Sequence, residues 1–357
     1  MAKSHFLLLV LLLLGFTIVA FGVGVTPREF YRALAANPYV EQKAIHQQNY
    51  FQESPLLPIL AHHLGFVSRT SFNFMCLGIV IGSFLVFAHQ LKLRTGPVFA
   101  LGLFILLQAH PVTIVLLSWL GMPDGLTFGL TVLSLFVTSP LWLAAICLAG
   151  ALNHPIAVFC ISSVILLRRL ANDEGIAWRH VFVCVLALIA GTLVVRLFLH
   201  YLNISLYSRF DHATDQDMQF WIKHNFRFFF MTVYSFHNTA WFAILFCVLA
   251  GFAAKAPYFI VFALLQLAFY GITFFCLDTT RVFALLAWAP AMHCIMYAYR
   301  LCGAERSSHL SEQVRKFVLL VAVIGFFTPS YYVYLGEYFS PANNEFHLWP
   351  YVQSLFD

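Results

Sequence analysis

Long apolar runs separated by short polar segments recur along the whole chain. They predict helices near residues 5–24, 71–91, 97–119, 181–200, 237–254, 257–276, 282–299 and 317–335. Each is close to the roughly 20 apolar residues that a helix needs to cross the hydrocarbon core of a bilayer. Strands of a membrane barrel would instead alternate over roughly ten residues, and Phe6–Ala20 does not alternate. Residues 125–167 are apolar but crowded, with interruptions at Ser139-Pro140 and Asn153-His154-Pro155. Three short helices of about 14 residues fit this stretch, as does one crossing with re-entrant pieces; helices that short need protein around their ends. The expected fold is an all-α, polytopic transmembrane helix bundle of about 11 spans, within a range of about nine to twelve. Met-Ala-Lys-Ser-His and the run to Gly24 read as an uncleaved first span, because no small-x-small cleavage site follows.

Basic residues in short loops set the expected orientation. Lys92 and Arg94, Arg168 and Arg169, Arg179, Lys255 and the segment 300–316 are assigned to the cytoplasm. The N-terminus is then cytoplasmic, and residues 25–70, residues 201–236 and the tail from Gly336 lie outside. The domain organisation expected is one membrane domain, 1–357, whose two long outer loops, 25–70 and 201–236, form the extracytoplasmic part of a site. The second loop carries Trp221, Phe226 and Phe228 to Phe230, a composition suited to a helix lying in the interface. Eleven of the 15 acidic residues fall outside in this scheme; only Asp173, Glu174, Glu305 and Glu312 fall inside.

Composition supports the membrane class: 61% of the 357 residues are hydrophobic and 10% are charged, against roughly 25% charged in a soluble domain. The net charge of +5 is spread without a dense basic tract, so nucleic acid is not an expected partner. The eight cysteines sit almost entirely in apolar runs with no CxxC spacing, which reads as packing rather than disulfides or zinc. No Walker motif, GxGxxG, GxSxG or HExxH occurs, which removes the usual signatures of nucleotide binding, serine hydrolysis and zinc proteolysis.

A charge at a membrane boundary is costly unless it meets water, a partner or a ligand, so acidic residues beside spans are the informative ones. Glu29 follows the first span and is either a carboxylate able to take a proton from a hydroxyl or a solvated first-turn residue. Glu53 lies in a proline-flanked turn before His62-His63; adjacent histidines point about 100° apart on a helix and do not share a metal. Asp124 lies in Pro123-Asp124-Gly125, a turn sequence in its own right. His154 stands at a helix break, either satisfying freed backbone groups or binding phosphate. Asp278 and Arg281 are spaced for an ion pair, or Arg281 is an anion clamp. His110-Pro111 reads as a kink with a packed histidine.

Three stretches resemble the GT-C class of membrane glycosyltransferases, in particular its glycosylphosphatidylinositol mannosyltransferase-like branch. They are Glu29 to Tyr39 followed by Tyr50 to Leu60, Met122 to Leu135 continuing to Asn153-His154-Pro155, and Asp278 to Arg281. The resemblance implies transfer of a sugar from a polyprenyl-phosphate donor to a lipid, glycan or protein acceptor at the extracytoplasmic face; few long polar insertions and no eukaryotic retention signal favour a bacterial inner membrane. It implies Glu29 as base, with Asp124 and Glu53 as further catalytic groups. Arg281 and His154 would contact the donor phosphate, Asp278 and His62 would orient, and Mg2+ or Mn2+ is the divalent ion such a site would use, although no metal cluster is evident in the sequence. The alternatives weighed are a multi-span transporter or lipid flippase and a polysaccharide polymerase or ligase.

Overall fold

Proline opens several of the helices. Its missing N–H is one that a helix leaves unsatisfied at its first turn in any case, so Pro97, Pro140, Pro155 and Pro257 each sit at a helix start. The computed structural model describes residues 3–22, 29–41, 49–173, 175–204, 218–253, 257–274, 279–304, 308–328, 331–334 and 337–339. The helices are α1 (Lys3–Phe21), α2 (Glu29–Ala36), α3 (Leu56–His63), α4 (Arg69–Thr95), α5 (Pro97–Ala109), α6 (Pro111–Ser118), α7 (Asp124–Phe136) and α8 (Pro140–Asn153). They continue as α9 (Pro155–Leu170), α10 (Trp178–Tyr201), α11 (Met218–Arg227), α12 (Phe229–His237), α13 (Ala240–Ala253), α14 (Pro257–Thr273), α15 (Thr279–Ala304) and α16 (Ser308–Phe327). A 3-10 turn covers Asn49–Glu53, and strands β1 (Tyr332–Tyr334) and β2 (Glu337–Phe339) pair antiparallel with Tyr332 opposite Phe339.

The chain divides into two units. Unit 1 comprises residues 1–24, 84–118 and 221–357. Its centre is α15, which packs against α5, α6, α12, α13, α14, α16 and β1. Trp288 of α15 is fully buried, its ring edge-on to Phe87 at 5.9 Å. A Cβ on Gly102 of α5 would lie 2.7 Å from Leu319 of α16, so the glycine permits that close approach.

Unit 2 comprises residues 25–83 and 119–220. Its core gathers Leu143, Cys147 and Ala151 of α8, Ile161 and Ile165 of α9, and Cys184 and Leu188 of α10. Gly191 lets α10 come close to α8: a Cβ there would stand 2.7 Å from the Cβ of Ala151 and 3.0 Å from the carbonyl oxygen of Leu148. Arg168, assigned from sequence to a cytoplasmic loop, is fully buried instead. Its Nη1 donates to the carbonyls of Ser134 and Val137, each at 2.6 Å, and its Nε meets Asp173 at 3.3 Å. It thus satisfies carbonyls that the end of α7 leaves open.

The all-α expectation holds for the bulk of the chain, but the span count does not. Among the described residues, three helices are long and apolar enough to cross a membrane: Arg69–Thr95, Trp178–Tyr201 and Thr279–Gly303. The number rises to at most five if the bent pairs Pro97–Ala109 with Pro111–Ser118 (58°) and Phe229–His237 with Ala240–Phe252 (81°) each make one span. Two physical reasons account for the overcount. Apolar helices such as α7 and α8 have 13 and 14 residues, about 20 Å at 1.5 Å per residue, short of a hydrocarbon core of about 30 Å. An apolar run also serves a protein core as well as lipid, and the Thr279–Gly303 window is 83% buried inside the protein, against 22% for Trp178–Tyr201.

Candidate functional site

The best-defined group of sequence-predicted residues lies at the start of α7. Gly121 takes φ 93°, a left-handed conformation suited to glycine, and turns the chain so that Asp124 opens the helix. Asp124 is buried, 1% exposed, and occupies the helix end where the backbone dipole favours negative charge. The side chain of Asn153, the last residue of α8, spans to this point. Its Nδ2 donates to the carbonyl of Pro123 at 2.9 Å and to the hydroxyl oxygen of Thr127 at 3.0 Å.

His154 follows directly and caps α9. Its backbone is extended (φ −162°, ψ 136°) and its Nδ1 accepts from the amide of Ile156 at 3.1 Å. An accepting Nδ1 carries no proton, so the proton of the neutral ring is on Nε2. His154 therefore serves as a hydrogen-bond donor through Nε2 without a positive charge. Asp124 also reaches α9 electrostatically: burial first, and then the Asp124 charge, push the Cys160 thiol above its ordinary range. Asp124 and His154 are thus brought to one junction. Asn153 and Thr127, which tie it together, were not singled out in the sequence. Asn153 carried only the signal of standing at the break.

Other predicted residues of unit 2 belong to a clamp around α2 and α3. Glu29 opens α2, and its side chain lies outside the described residues. Glu53 ends the 3-10 turn and is half-buried. His62 Nδ1 donates to the carbonyl of Ala35 at 2.9 Å, a direction forced by the carbonyl, which only accepts. The His63 Nε2 and Tyr39 hydroxyl share a 2.7 Å hydrogen bond, and the Tyr39 ring stands edge-on to His62 at 5.9 Å. In unit 1, Arg281 is half-buried in the first turn of α15, and Asp278 lies outside the described residues. The same turn is anchored by Thr280, whose hydroxyl shares a 2.8 Å bond with Ser235, and by Thr279, which donates to Asn225 at 3.1 Å. Among the described residues, no group of three or more His, Cys, Asp or Glu side chains could hold a metal ion, so no ligand set for Mg2+ or Mn2+ is named.

A second polar centre occupies the core of unit 1, where the sequence suggested only a packed histidine at a kink. His110, between α5 and α6, and His237, at the end of α12, are both fully buried. The amide of Val112 donates to His110 Nδ1 at 3.1 Å, His110 Nε2 meets His237 Nδ1 at 2.8 Å, and His237 Nε2 meets Gln266 Oε1 at 3.2 Å. Trp241 stacks edge-on against the His237 ring at 4.6 Å. The next residue, Asn238, takes φ 48°; its Oδ1 accepts from the Tyr331 amide at 2.9 Å and its Nδ2 donates to the Tyr331 carbonyl at 3.4 Å. The histidine pair is 127 residues apart in sequence, which is why no local pattern revealed it.

No family model, no curated protein and no solved structure matches the chain. The stretches that resemble the GT-C class therefore have no support from comparison. The structure overturns what they implied, because among the described residues three to five candidate crossings replace about 11. A GT-C glycosyltransferase working at an extracytoplasmic face is withdrawn. With it go its polyprenyl-phosphate donor and its acceptors, the multi-pass bacterial inner-membrane location, and the multi-span transporter, flippase and polymerase alternatives.

Proposed function

We propose that unit 2 binds a small polar ligand at the junction of α7 with the α8–α9 break. Asp124 is the hydrogen-bond and proton acceptor, and the Nε2–H of His154 is the donor. The observation that carries this reading is the pair of bonds from Asn153 Nδ2 to Pro123 and Thr127, which holds the segment bearing His154 against the segment bearing Asp124. A ligand suited to the pair offers a hydroxyl or amine hydrogen to the carboxylate and an oxygen lone pair to the imidazole. Glu29, Glu53 and His62 belong in this reading to the α2–α3 clamp, and Arg281 and Asp278 to the other unit.

The test is a ligand-observed NMR screen of small hydroxyl- and amine-bearing compounds against the purified full chain. Compounds that bind the wild type lose about ten-fold or more in affinity with Asp124→Asn, the loss of about one charged hydrogen bond. His154→Asn keeps a good helix cap but removes the Nε2 donor, and produces a similar loss. Unchanged affinity in Asp124→Asn rules the proposal out.

A further inference from the structure

The buried histidine pair of unit 1 forms a hydrogen-bonded chain that has a direction. The Val112 amide can only donate, so His110 Nδ1 accepts and the His110 proton is on Nε2. That proton points at His237 Nδ1, which accepts, so the His237 proton is also on Nε2. The second proton in turn needs an acceptor, and this places the oxygen of Gln266, not its nitrogen, toward the ring. One backbone amide thereby sets the orientation of a side-chain amide on a different helix, through two neutral imidazoles.

The consequence is that Gln266 presents its NH2 group away from the chain. Gln266 is 8% exposed, and its Nε2 finds no hydrogen-bond partner among the described residues. Gln108, two residues before His110 and fully buried, has neither its oxygen nor its nitrogen partnered there. The hydroxyl of Thr239, two residues after His237, is likewise without a partner. Thr239 and the segment bearing Gln108 meet at the helix breaks: a Cβ on Gly325 would collide with the Thr239 hydroxyl and touch Ala109, the residue between Gln108 and His110, and Gln266 reaches the same place through its bond with His237. Native interiors rarely leave buried amides unmatched, and here the unmatched amides stand within two residues of His110 or hydrogen-bonded to His237, the histidines at the helix breaks.

We infer that this junction is a binding site for a small uncharged molecule bearing both a hydrogen-bond acceptor oxygen and a donor, of the carboxamide type, with Gln266 donating to its oxygen. Gln108 has both a donor and an acceptor to offer it, and Thr239 adds a hydroxyl. The ligand is uncharged because the groups named are neutral, and an ion brought among them would be buried without a counter-charge. His110 and His237 act as positioning residues: they determine that the site selects an acceptor at Gln266 rather than a second donor.

The experiment uses the full chain in detergent micelles, labelled with 15N at glutamine and histidine. Acetamide is the probe, and acetate is the charged control of nearly the same shape. The expected result is a saturable shift of the Gln266 side-chain amide with acetamide, at least about ten-fold weaker with acetate, and both histidines protonated on Nε2. Gln266→Met, which keeps the length of the side chain, and Gln108→Leu each weaken acetamide by about ten-fold, as the loss of a matched hydrogen bond in a dry site does. A non-saturating response, equal acetamide response in Gln266→Met, or an Nδ1-protonated His110 would overturn the inference. The wild-type titration and the histidine tautomers remain decisive even where a variant fails to fold. Contact of the Gln266 amide with internal water alone, without acetamide saturation, also overturns it.

Discussion

Replacing Arg168 by alanine tests whether unit 2 is held by a buried charge rather than bordered by a loop charge. Arg168 is fully buried and Asp173 nearly so, with side-chain exposures of 0% and 3%. The guanidinium makes two charged hydrogen bonds to the Ser134 and Val137 carbonyls and one to Asp173. Hydrogen bonds to charged groups contribute about 1.5–3 kcal/mol each, and removing one partner of a buried pair costs about 3–5 kcal/mol because the other charge is stranded. The two carbonyl bonds together come to about 3–6 kcal/mol, which overlaps the cost of breaking the pair around 4 kcal/mol, the expected cost of Arg168→Ala. Adding Asp173→Asn removes the stranded charge and should recover about 1–2 kcal/mol, leaving the open carbonyls as the remainder. Arg168→Lys keeps the charge without the fork that reaches both carbonyls, and should fall between the two. Unfolding of the purified full chain by denaturant titration, followed alongside thermal melting, measures all three. A cost below about 1 kcal/mol for Arg168→Ala, the range of an exposed ion pair, would refute the reasoning and return Arg168 to the surface.

Two further perturbations probe other parts of the chain. Gly191→Val forces branched atoms against Ala151 and the Leu148 carbonyl, where even a Cβ is crowded; overpacking should cost about 1–3 kcal/mol, and an unchanged melting midpoint would mean α8 and α10 are not that close. Glu312 is held below the usual carboxylate range, first by its hydrogen bond with Arg315 and then by the charges of Arg315 and Lys316. A depressed carboxylate adds stability at neutral pH that is lost as pH falls through its folded-state value. A 13C titration should find Glu312 protonating later than an ordinary glutamate on acidification, and Arg315→Ala should move it back up.

Much of the helical skeleton was legible because apolar length and proline placement are local signals. The run at 71–91 is the core of α4, and the interruptions at Ser139-Pro140 and Asn153-His154-Pro155 are the boundaries that separate α7, α8 and α9. What surrounds each helix was not legible. A run that faces lipid and one that faces protein have the same composition, so α15 and α10 read alike although one is enclosed and the other is not. Arg168 misled for a related reason. A basic residue at the end of an apolar run normally marks a loop, and only the partner carbonyls, more than 30 positions upstream, reveal that it is inside. At the candidate site, Asp124 and His154 were each visible as a turn and a break. Their meeting depends on Asn153 crossing 30 residues back to Pro123.

His-Pro is a local pattern shared by the polar centres of the two units. In both His110-Pro111 and His154-Pro155, proline starts the next helix and lacks an N–H, so the first amide available is the one after it. In each case the histidine Nδ1 takes that amide, Val112 or Ile156, at 3.1 Å. The geometry therefore fixes the tautomer wherever it occurs: Nδ1 is consumed locally and Nε2–H is directed away from the helix it caps. A histidine used in this way is poorly suited to act as a cation, because protonating Nδ1 would set two donors against each other. It is well suited to act as an oriented neutral donor. In unit 1 that donor is passed through His237 to Gln266, and in unit 2 it stands beside the Asp124 segment. The phosphate-binding cation expected of His154 from sequence is on this argument replaced by a directed N–H. The same kink that looked like packing at His110 has the same chemical consequence.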